Sequence, residues 1–347
     1  MVEITLQGAP TQIGLERGQQ LKYAIQLAAE HFGPGHAHQY TRRQAYAYGR
    51  RLAKDMQERC PALMEEIHAT GKGAEIAEDD FLAYAFRCWN ALVDHPATLA
   101  CYNLAAHDPN RGPIIAGVLE DLPPFYLLET VRPKKGYAFH GITWAGMAWA
   151  VRGMNQAGLA IGQASSFAGT RFRAGAHRFP FDLYARAFYA QRWAIQNADN
   201  VADAVEIIRG FDCTSTFMLG DRSGKSVTLE VCGKLHALRE PDKLGVMTGG
   251  VFESPQLIKA LLEEGIAHDW EQGLRTAQRV AAKLRGAQRK TTMEWMEKYL
   301  RTEQAAGGWC HDGLQAATIA CPATGEFWVG GFRPCVSGFK EYSTKTL

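Results

Sequence analysis

Cys101 lies in the stretch Leu99-Ala100-Cys101-Tyr102-Asn103, where a small residue precedes the cysteine and a strand is predicted to begin. A thiol in this position can attack the carbonyl carbon of Ala100 and break its own peptide bond. The α-amine that is freed has a reference pKa of about 7.7 to 8.0, which suits it to take the proton of a thiol with a reference pKa of about 8.5. Because the second residue is Val2, removal of the initiator methionine cannot expose a cysteine, and internal cleavage is the available route. A buried structural thiol is the alternative interpretation, since cysteine is among the most buried residue types.

Amide hydrolysis by such a thiol also needs a group that orients the α-amine and donors for the developing oxyanion. Asp121 follows a predicted buried strand, and its carboxylate can hydrogen-bond the α-ammonium and position it. The backbone N–H groups of Gly249 or Gly250 and the hydroxyl of Thr248 are the candidate oxyanion donors. The alternatives are an ordinary turn carboxylate for Asp121 and a plain flexible turn for the two glycines.

Other polar residues are open to a functional and a structural interpretation. Arg279 lies one helical turn after Arg275 and could bind a substrate carboxylate, although a solvated helix face explains the pair as well. Tyr102, next to the cysteine, is a second candidate for substrate binding. His311 raises the alternative of a Cys–His pair, but a structural histidine is favoured because nothing in the sequence places it near the thiol. Asn155 is expected to shape the glycine turn in which it lies.

The elements that must position these residues fall into two blocks. The first hundred residues are predicted to be mainly helical, because apolar residues recur at helical spacing between turn signals. After them strands and helices come in groups. The predicted strands cover 4–6, 114–118, 137–151, 159–162, 216–219, 226–232, 244–247, 316–320 and 326–331. The predicted helices cover 11–31, 42–60, 61–70, 78–92, 181–196, 200–209 and 255–300.

Runs of strands with blocks of helices on either side are typical of a layered α+β sandwich rather than of repeated βαβ units. The sequence has no repeat, linker or low-complexity tract, so a single domain over 1–347 is predicted. Within it, 1–100 is the mainly helical segment, which cleavage would turn into a small fragment. The remainder, 101–347, is the predicted catalytic fragment.

Composition and charge exclude several classes of function. Thirty-eight Lys and Arg against thirty-six Asp and Glu give a net charge of +2, which offers no electrostatic case for nucleic acid or a membrane surface. No window reaches eighteen apolar residues, so no membrane span is predicted. The N-terminus has no secretory pattern and the eight cysteines form no CxxC pair, which predicts reduced thiols and a cytoplasmic location. Only Cys310-His311 is an adjacent ligand pair, and neighbouring side chains seldom bind one metal together, so no metal site is predicted.

Several short motifs lie before and after Cys101 along the chain. They are Leu6-Gln7-Gly8-Ala9-Pro10, Ile13-Gly14, Gly18, Gly117-Val118-Leu119-Glu120-Asp121, Gly153-Met154-Asn155-Gln156-Ala157-Gly158-Leu159, Phe217-Met218-Leu219-Gly220-Asp221, Cys310-His311 and Gly331-Phe332-Arg333-Pro334-Cys335. With this order and spacing the chain resembles the acyl-coenzyme A:6-aminopenicillanic acid acyltransferase family over nearly its whole length. That family consists of autoproteolytic Ntn hydrolases, whose fold is a four-layer αββα sandwich of antiparallel sheets.

The resemblance implies that Cys101 is the nucleophile and that the Ala100–Cys101 bond is the cleavage site. Cys101 would form a thioester with the acyl group of a small N-acyl or peptide-like amide and pass it to water or to an amine. The resemblance implies no metal and no organic cofactor. It also allows the two fragments to stay associated after cleavage.

Three departures from the family pattern support a second hypothesis. The residue before the nucleophile is usually Gly and here is Ala100. Val118 and Leu119 replace an Arg and an Asn that family members can use on substrate or nucleophile, and Gly249 stands where an Asn would supply an oxyanion donor. A non-cleaving homologue that serves as a ligand-binding or interaction module is therefore the alternative to an active amide hydrolase or acyltransferase.

Overall fold

The computed structural model describes residues 1–32, 41–87, 101–120, 125–164, 181–240, 246–248, 252–263 and 292–347. The α-helices are α1 (Pro10–Gln20), α2 (Lys22–Phe32), α3 (Arg42–Arg59), α4 (Pro61–Gly73), α5 (Glu78–Arg87), α6 (Phe181–Asn197), α7 (Val201–Gly210), α8 (Pro255–Glu263), α9 (Met293–Arg301) and α10 (Pro334–Ser337). The strands are β1 (Val2–Gly8), β2 (Tyr102–Asp108), β3 (Gly112–Glu120), β4 (Tyr126–Pro133), β5 (Phe139–Trp144), β6 (Arg152–Asn155), β7 (Ala160–Ala164), β8 (Thr214–Gly220), β9 (Ser226–Cys232), β10 (Leu235–Arg239), β11 (Val246–Thr248), β12 (Leu314–Cys321), β13 (Glu326–Gly330) and β14 (Phe339–Ser343).

These strands form two sheets. Sheet A has the order β1-β4-β5-β6-β7-β8-β9-β10, and sheet B has the order β11-β2-β3-β12-β13-β14. All described pairs are antiparallel except β1 with β4, which is parallel. Strands β7 and β8 and the central part of β9 are buried on both faces.

The two sheets face each other, with helices on their outer surfaces. Strands β2, β3 and β12 of sheet B contact β6, β7 and β8 of sheet A. Helices α1, α6, α7 and α8 contact sheet A, and α9 contacts β3 and β12 of sheet B. The order of layers is therefore helix, sheet, sheet, helix, and the predicted α+β class with an αββα sandwich of mainly antiparallel sheets is confirmed.

The segment before Cys101 is built into this sandwich. Its strand β1 pairs with β4 at an edge of sheet A, from Val2 opposite Leu127 to Gly8 opposite Pro133. Helix α1 packs closely against α4. A Cβ at Gly14 or Gly18 would collide with the backbone of α4. Both the sheet and the helical layer above it therefore contain residues from either side of the Ala100–Cys101 bond.

Four buried charged side chains also join the two parts of the chain. Arg17 forms ion pairs with Glu66 at 2.7 Å and with Glu129 at 2.7 Å, and Arg192 pairs with Glu66 at 3.1 Å. We call Arg17, Glu66, Glu129 and Arg192 the buried charge cluster. Burial raises the pKa of Glu66, but Arg192 and Arg17 outweigh it and hold that pKa below its usual range. The two positive and two negative charges balance one another inside the protein.

Two features differ from the sequence-based expectations. Cys310 and Cys335 are joined in a disulfide, which contradicts the prediction that the cysteines are all reduced thiols. The sequence separation of 25 residues concealed this pair, because β12 and β13 run out and back between the two cysteines. The helix predicted over 11–31 is divided in two at Leu21, which adopts a non-helical backbone conformation. Among the described helices, none is long and apolar enough to cross a membrane.

Candidate active site

Cys101 immediately precedes β2 and lies at the inner side of sheet B. It is half-buried and packs against the main hydrophobic core between the layers. Strand β2 is flanked by β3 and β11, with Asn103 opposite Gly117 on one side and opposite Thr248 on the other. The thiol is thus held at the end of a strand that has a partner on both sides.

A buried arginine from the opposite sheet reaches this thiol. The guanidinium of Arg152, on β6, lies within hydrogen-bonding reach of the Cys101 side chain. It also donates to the side-chain oxygen of Asn103, to the carbonyl oxygen of Tyr102 at 3.0 Å and to that of Val118 at 2.5 Å. We call Cys101, Asn103 and Arg152 the Cys101 cluster. It joins sheet A to sheet B at the start of β2.

Two glycines make room for the cluster. A Cβ at Gly117 would collide with the Arg152 guanidinium and with the carbonyl oxygen of Tyr102. A Cβ at Gly162 would collide with the side-chain oxygen of Asn103 and approach the same guanidinium. Since these glycines come from β3 of sheet B and β7 of sheet A, both sheets leave a gap at the level of Arg152. The close approach between the sheets at this point therefore depends on the absence of two side chains.

The electrostatics of the cluster follow from burial. Arg152 is 1% exposed, and burial lowers its pKa to about 10, against the effect of the Cys101 thiol and the Tyr126 phenol, which favour the cation. Arg152 consequently stays protonated near neutral pH. Its Nε and the side-chain nitrogen of Asn103 are buried N–H donors without a hydrogen-bond partner in the described part of the chain. The cluster thus combines a thiol, a cation and two unused donors.

The structure brings some of the predicted site residues together and separates others. The backbone of Thr248 lies opposite Asn103, one strand away from the strand that Cys101 begins. Tyr102 is different: its ring lies 5.0 Å from that of Trp309, in a hydrophobic cluster between sheet B and α9. Because adjacent residues of a strand point to opposite faces, this ring and the Cys101 thiol are on different sides of sheet B. The placement does not favour the substrate-binding role predicted for Tyr102.

The remaining predicted site residues lie outside the described residues. They are Ala100, Asp121, Gly249, Gly250 and Arg279. Their roles stay predictions that follow from the sequence and from the family resemblance. Among the residues that are described, no group of three or more His, Cys, Asp or Glu side chains is arranged to hold a metal ion.

Two structural interpretations from the sequence agree with the geometry. The side chain of Asn155 donates to the carbonyl oxygens of Ile195 and Ala198 at 2.8 Å and accepts from the backbone N–H of Leu159, so it shapes the turn between β6 and β7. The Nδ1 atom of His311 accepts from the backbone N–H of Gly313 at 3.1 Å, which fits a structural histidine at the turn before β12.

Sequence reasoning missed Arg152 and Asn103. Neither lies in a family motif as a catalytic residue, and their contacts join positions 49 residues apart. One signal was present: Arg152 comes directly after Ala-Trp-Ala-Val, at the end of a stretch predicted to form paired strands. A charged residue that is buried at such a position rarely lacks a partner, and it therefore marks a candidate site.

Comparisons with known proteins give distant structural similarity only. No family model matches the chain, and no curated protein matches it. Among solved structures, a mutant of conjugated bile acid hydrolase from Clostridium perfringens is 12% identical, with 71% of this chain and 93% of that chain covered and a TM-score of 0.47. Penicillin V acylase from Agrobacterium tumefaciens is 12% identical, with 71% and 87% covered and a TM-score of 0.43. An N-acylethanolamine-hydrolyzing acid amidase orthologue from Caenorhabditis elegans is 12% identical, with 64% and 93% covered and a TM-score of 0.35. Since these TM-scores lie below 0.5, the fold and the site rest on the geometry of this chain.

Proposed function

We propose that this chain is an Ntn-type cysteine hydrolase or acyltransferase of amides that activates itself by cleavage between Ala100 and Cys101. The observation that carries the proposal is the position of Cys101. Its thiol lies directly before an inner strand of an αββα sandwich, half-buried and beside the buried Arg152 guanidinium. Cleavage before this residue would leave both the thiol and the α-amine at the head of β2.

Self-cleavage would proceed by an acyl shift. The Cys101 sulfur attacks the carbonyl carbon of Ala100, the C–N bond breaks, and the nitrogen gains a proton to become the free α-amine. Water then hydrolyses the thioester and leaves a carboxylate on Ala100. Asp121 is proposed to hydrogen-bond the new α-ammonium and to hold it toward the thiol. The reaction consumes one water and needs no cofactor.

Turnover would repeat the same chemistry on an external amide. The α-amine takes the thiol proton, the sulfur attacks the substrate carbonyl, and the departing amine receives the proton from the α-ammonium. Water, or a second amine in the transferase reaction, then releases the acyl group from the thioester. The substrate class we propose is a small N-acyl or peptide-like amide, with Arg279 as a candidate partner for a substrate carboxylate.

The developing oxyanion needs N–H donors, each of which contributes about 3 kcal/mol when it is well placed. Asn103 has a buried side-chain N–H without a partner among the described residues, and it lies two residues after the nucleophile. Thr248 lies opposite Asn103 on β11, and Gly249 and Gly250 follow it in sequence. We propose that the donors come from this group of residues.

The two fragments are proposed to stay together after cleavage. Strand β1 is hydrogen-bonded into sheet A, and the buried charge cluster takes Arg17 and Glu66 from one fragment and Glu129 and Arg192 from the other. Separation would expose these charges and a large apolar surface, both of which oppose dissociation.

The alternative function is a non-cleaving ligand-binding or interaction module with the same fold. It is favoured by the departures from the family pattern at Val118, Leu119 and Gly249. In that case Cys101 would remain inside the chain and its α-nitrogen would stay an amide, which cannot act as a base.

A thioester-trapping experiment tests the enzymatic proposal. The purified full chain is incubated with a panel of N-acyl amino acids and small acyl anilides, and amine release is measured with and without hydroxylamine. Wild-type protein should release amine and form acyl hydroxamates, whereas Cys101→Ala should do neither. Cys232→Ala is the matched control, because Cys232 is also half-buried but lies at the end of β9. Equal amine release by wild type and Cys101→Ala would contradict the proposal.

A further inference from the structure

A buried guanidinium favours a nearby counter-charge, and the surroundings of Arg152 limit what that counter-charge can be. Three of its hydrogen-bond acceptors are uncharged: the carbonyl oxygens of Tyr102 and Val118 and the amide oxygen of Asn103. Within the described ranges, no carboxylate forms an ion pair with it, and the ionisable groups that act on it are the Cys101 thiol and the Tyr126 phenol. A cysteine ionises at a lower pH than a tyrosine, so the thiol is the group that a cation converts to an anion near neutrality.

We propose that Arg152 is a catalytic residue whose guanidinium stabilises the thiolate of Cys101. The cation comes from β6 of sheet A and reaches the inner face of β3 beside Gly117. Ionisation moves the Sγ proton to solvent, or to the α-amine once that amine is free, and leaves on sulfur the electron pair that attacks a carbonyl carbon. The role in catalysis rests on the proposed function, but the ion pair itself does not.

The geometry suits a fixed charge. The carbonyl oxygens of Tyr102 and Val118 accept from the same terminal nitrogen of Arg152, at 3.0 and 2.5 Å, and they belong to neighbouring strands that face each other in register. The other terminal nitrogen holds Asn103. Gly117 and Gly162 have no side chains, and this leaves the space that the Arg152 guanidinium occupies. A guanidinium held in this way needs no rearrangement when the thiolate forms, which is the condition for effective electrostatic stabilisation.

This arrangement has a consequence for self-cleavage. Before the Ala100–Cys101 bond breaks, the nitrogen of Cys101 is part of a peptide bond and cannot serve as a base. The first attack therefore depends on another group that stabilises the thiolate. The Arg152 guanidinium lies beside the thiol in the uncleaved chain and can do this. The same charge would act again in each turnover, together with the α-amine.

A purely structural role for Arg152 predicts a different result. If Arg152 only holds the two sheets together by its hydrogen bonds, it affects the stability of the protein but not the pH at which Cys101 ionises. The two roles are therefore separated by a titration of the thiol, and such a titration requires neither self-cleavage nor amide turnover.

The experiment measures alkylation of Cys101 by iodoacetamide between pH 5 and 10. Sulfur forms a bond to carbon, iodide leaves, and the rate follows the thiolate fraction. Peptide mass spectrometry of the full purified protein reports Cys101, whether internal or N-terminal, and the half-buried Cys232 in the same digest serves as internal reference. The variants are Arg152→Met, Arg152→Lys and the control Arg192→Lys, since Arg192 is equally buried but binds Glu66.

Wild-type Cys101 should be alkylated with a midpoint at least one pH unit below the reference of about 8.5 for a free thiol. Arg152→Met should raise that midpoint by at least one unit and slow alkylation at pH 7 about tenfold, which is one pKa unit. Arg152→Lys should lie between them, and Arg192→Lys should match wild type. A wild-type midpoint at or above the reference of about 8.5 would overturn the inference, and this result does not depend on whether Arg152→Met folds. Equal midpoints in folded wild type and folded Arg152→Met would also overturn it. Loss of amide turnover with this pH shift intact would count against the proposed function alone.

Discussion

The guanidinium of Arg152 lies within hydrogen-bonding reach of the Cys101 thiol, although the two residues belong to different sheets. The contact crosses the interface of the sandwich at the start of β2. It joins the residue that the sequence marks as a nucleophile to a buried cation that no motif marks. The proposed hydrolysis of amides depends on this pair and on the position of Cys101 in the chain.

The close approach of the sheets at the Cys101 cluster can be tested with a single methyl group. Gly117→Ala should displace the Arg152 guanidinium, because the new Cβ would occupy its place beside β3. We expect slower alkylation of Cys101 at pH 7 and a loss of stability of about 1 to 3 kcal/mol, as for other overpacked cores. Both are measurable by peptide mass spectrometry and urea unfolding.

Gly210→Ala is the control for this substitution. Gly210 ends α7 and has no atom within 4 Å of the place that a Cβ would occupy. We expect it to leave the alkylation of Cys101 unchanged. If Gly117→Ala also leaves it unchanged in a folded protein, the guanidinium does not depend on the gap that we describe.

Removing one member of the buried charge cluster should cost much more than removing a surface charge. Arg17→Met would leave Glu129 buried without its partner, and we expect the free energy of unfolding to fall by about 3 to 5 kcal/mol. Lys340→Met is the comparison, because Lys340 pairs with Glu3 on the surface and such pairs contribute less than about 1 kcal/mol. Similar losses in the two variants, measured by urea unfolding, would show that the cluster does not tie the layers together.

Stability should fall in mildly acidic solution because of His140. Burial lowers its pKa to about 4, its Nδ1 lies 2.9 Å from the hydroxyl of Thr130, and its ring packs against Phe327 and Tyr342. An unfolded histidine titrates near 6.5, so between these values the unfolded chain binds more protons and acid favours unfolding. From pH 7 to pH 5 this effect amounts to about 2 kcal/mol.

Urea unfolding at the two pH values checks this expectation. His140→Gln should be less stable than wild type at pH 7 but should lose less stability on going to pH 5. The exposed His107→Gln variant controls for the loss of an imidazole. If wild type and His140→Gln lose the same stability, His140 is not the group responsible.

The disulfide between Cys310 and Cys335 should contribute to stability through the loop that it closes. Its partners are 25 residues apart, for which chain-entropy estimates give about 3 kcal/mol. Cys335→Ser should lose about this much in non-reducing buffer. Dithiothreitol should bring wild type to the level of the variant and leave the variant unchanged; a wild type that does not respond to reductant would contradict the pairing.

The sequence predicts local elements better than distant contacts. Strand β9 is predicted over Ser226–Cys232 and is found there, and Asn200 caps α7 by accepting from the backbone N–H of Asp203. Strand β4 is not predicted, because Glu129 interrupts its apolar pattern. That carboxylate is buried by Arg17, 112 residues earlier in the chain, and no local pattern reveals such a partner.

In the candidate site, too, the sequence predicts local features but not distant contacts. It predicts the position of Cys101 before a strand, because the small residue, the cysteine and the strand follow one another in the sequence. The contact with Arg152 is not, since it depends on which strands of the two sheets face each other. Tyr102 is predicted beside the substrate, but strand alternation turns its ring toward Trp309 on the other side of sheet B.

The most direct test of the central claim is the mass of the purified full chain. We predict two fragments, the larger beginning at Cys101, which elute together in native buffer and separate only in denaturant. Cys101→Ala should remain one chain of 38.3 kDa. A wild-type protein that still has the single mass of 38.3 kDa after long incubation would contradict self-activation at Cys101.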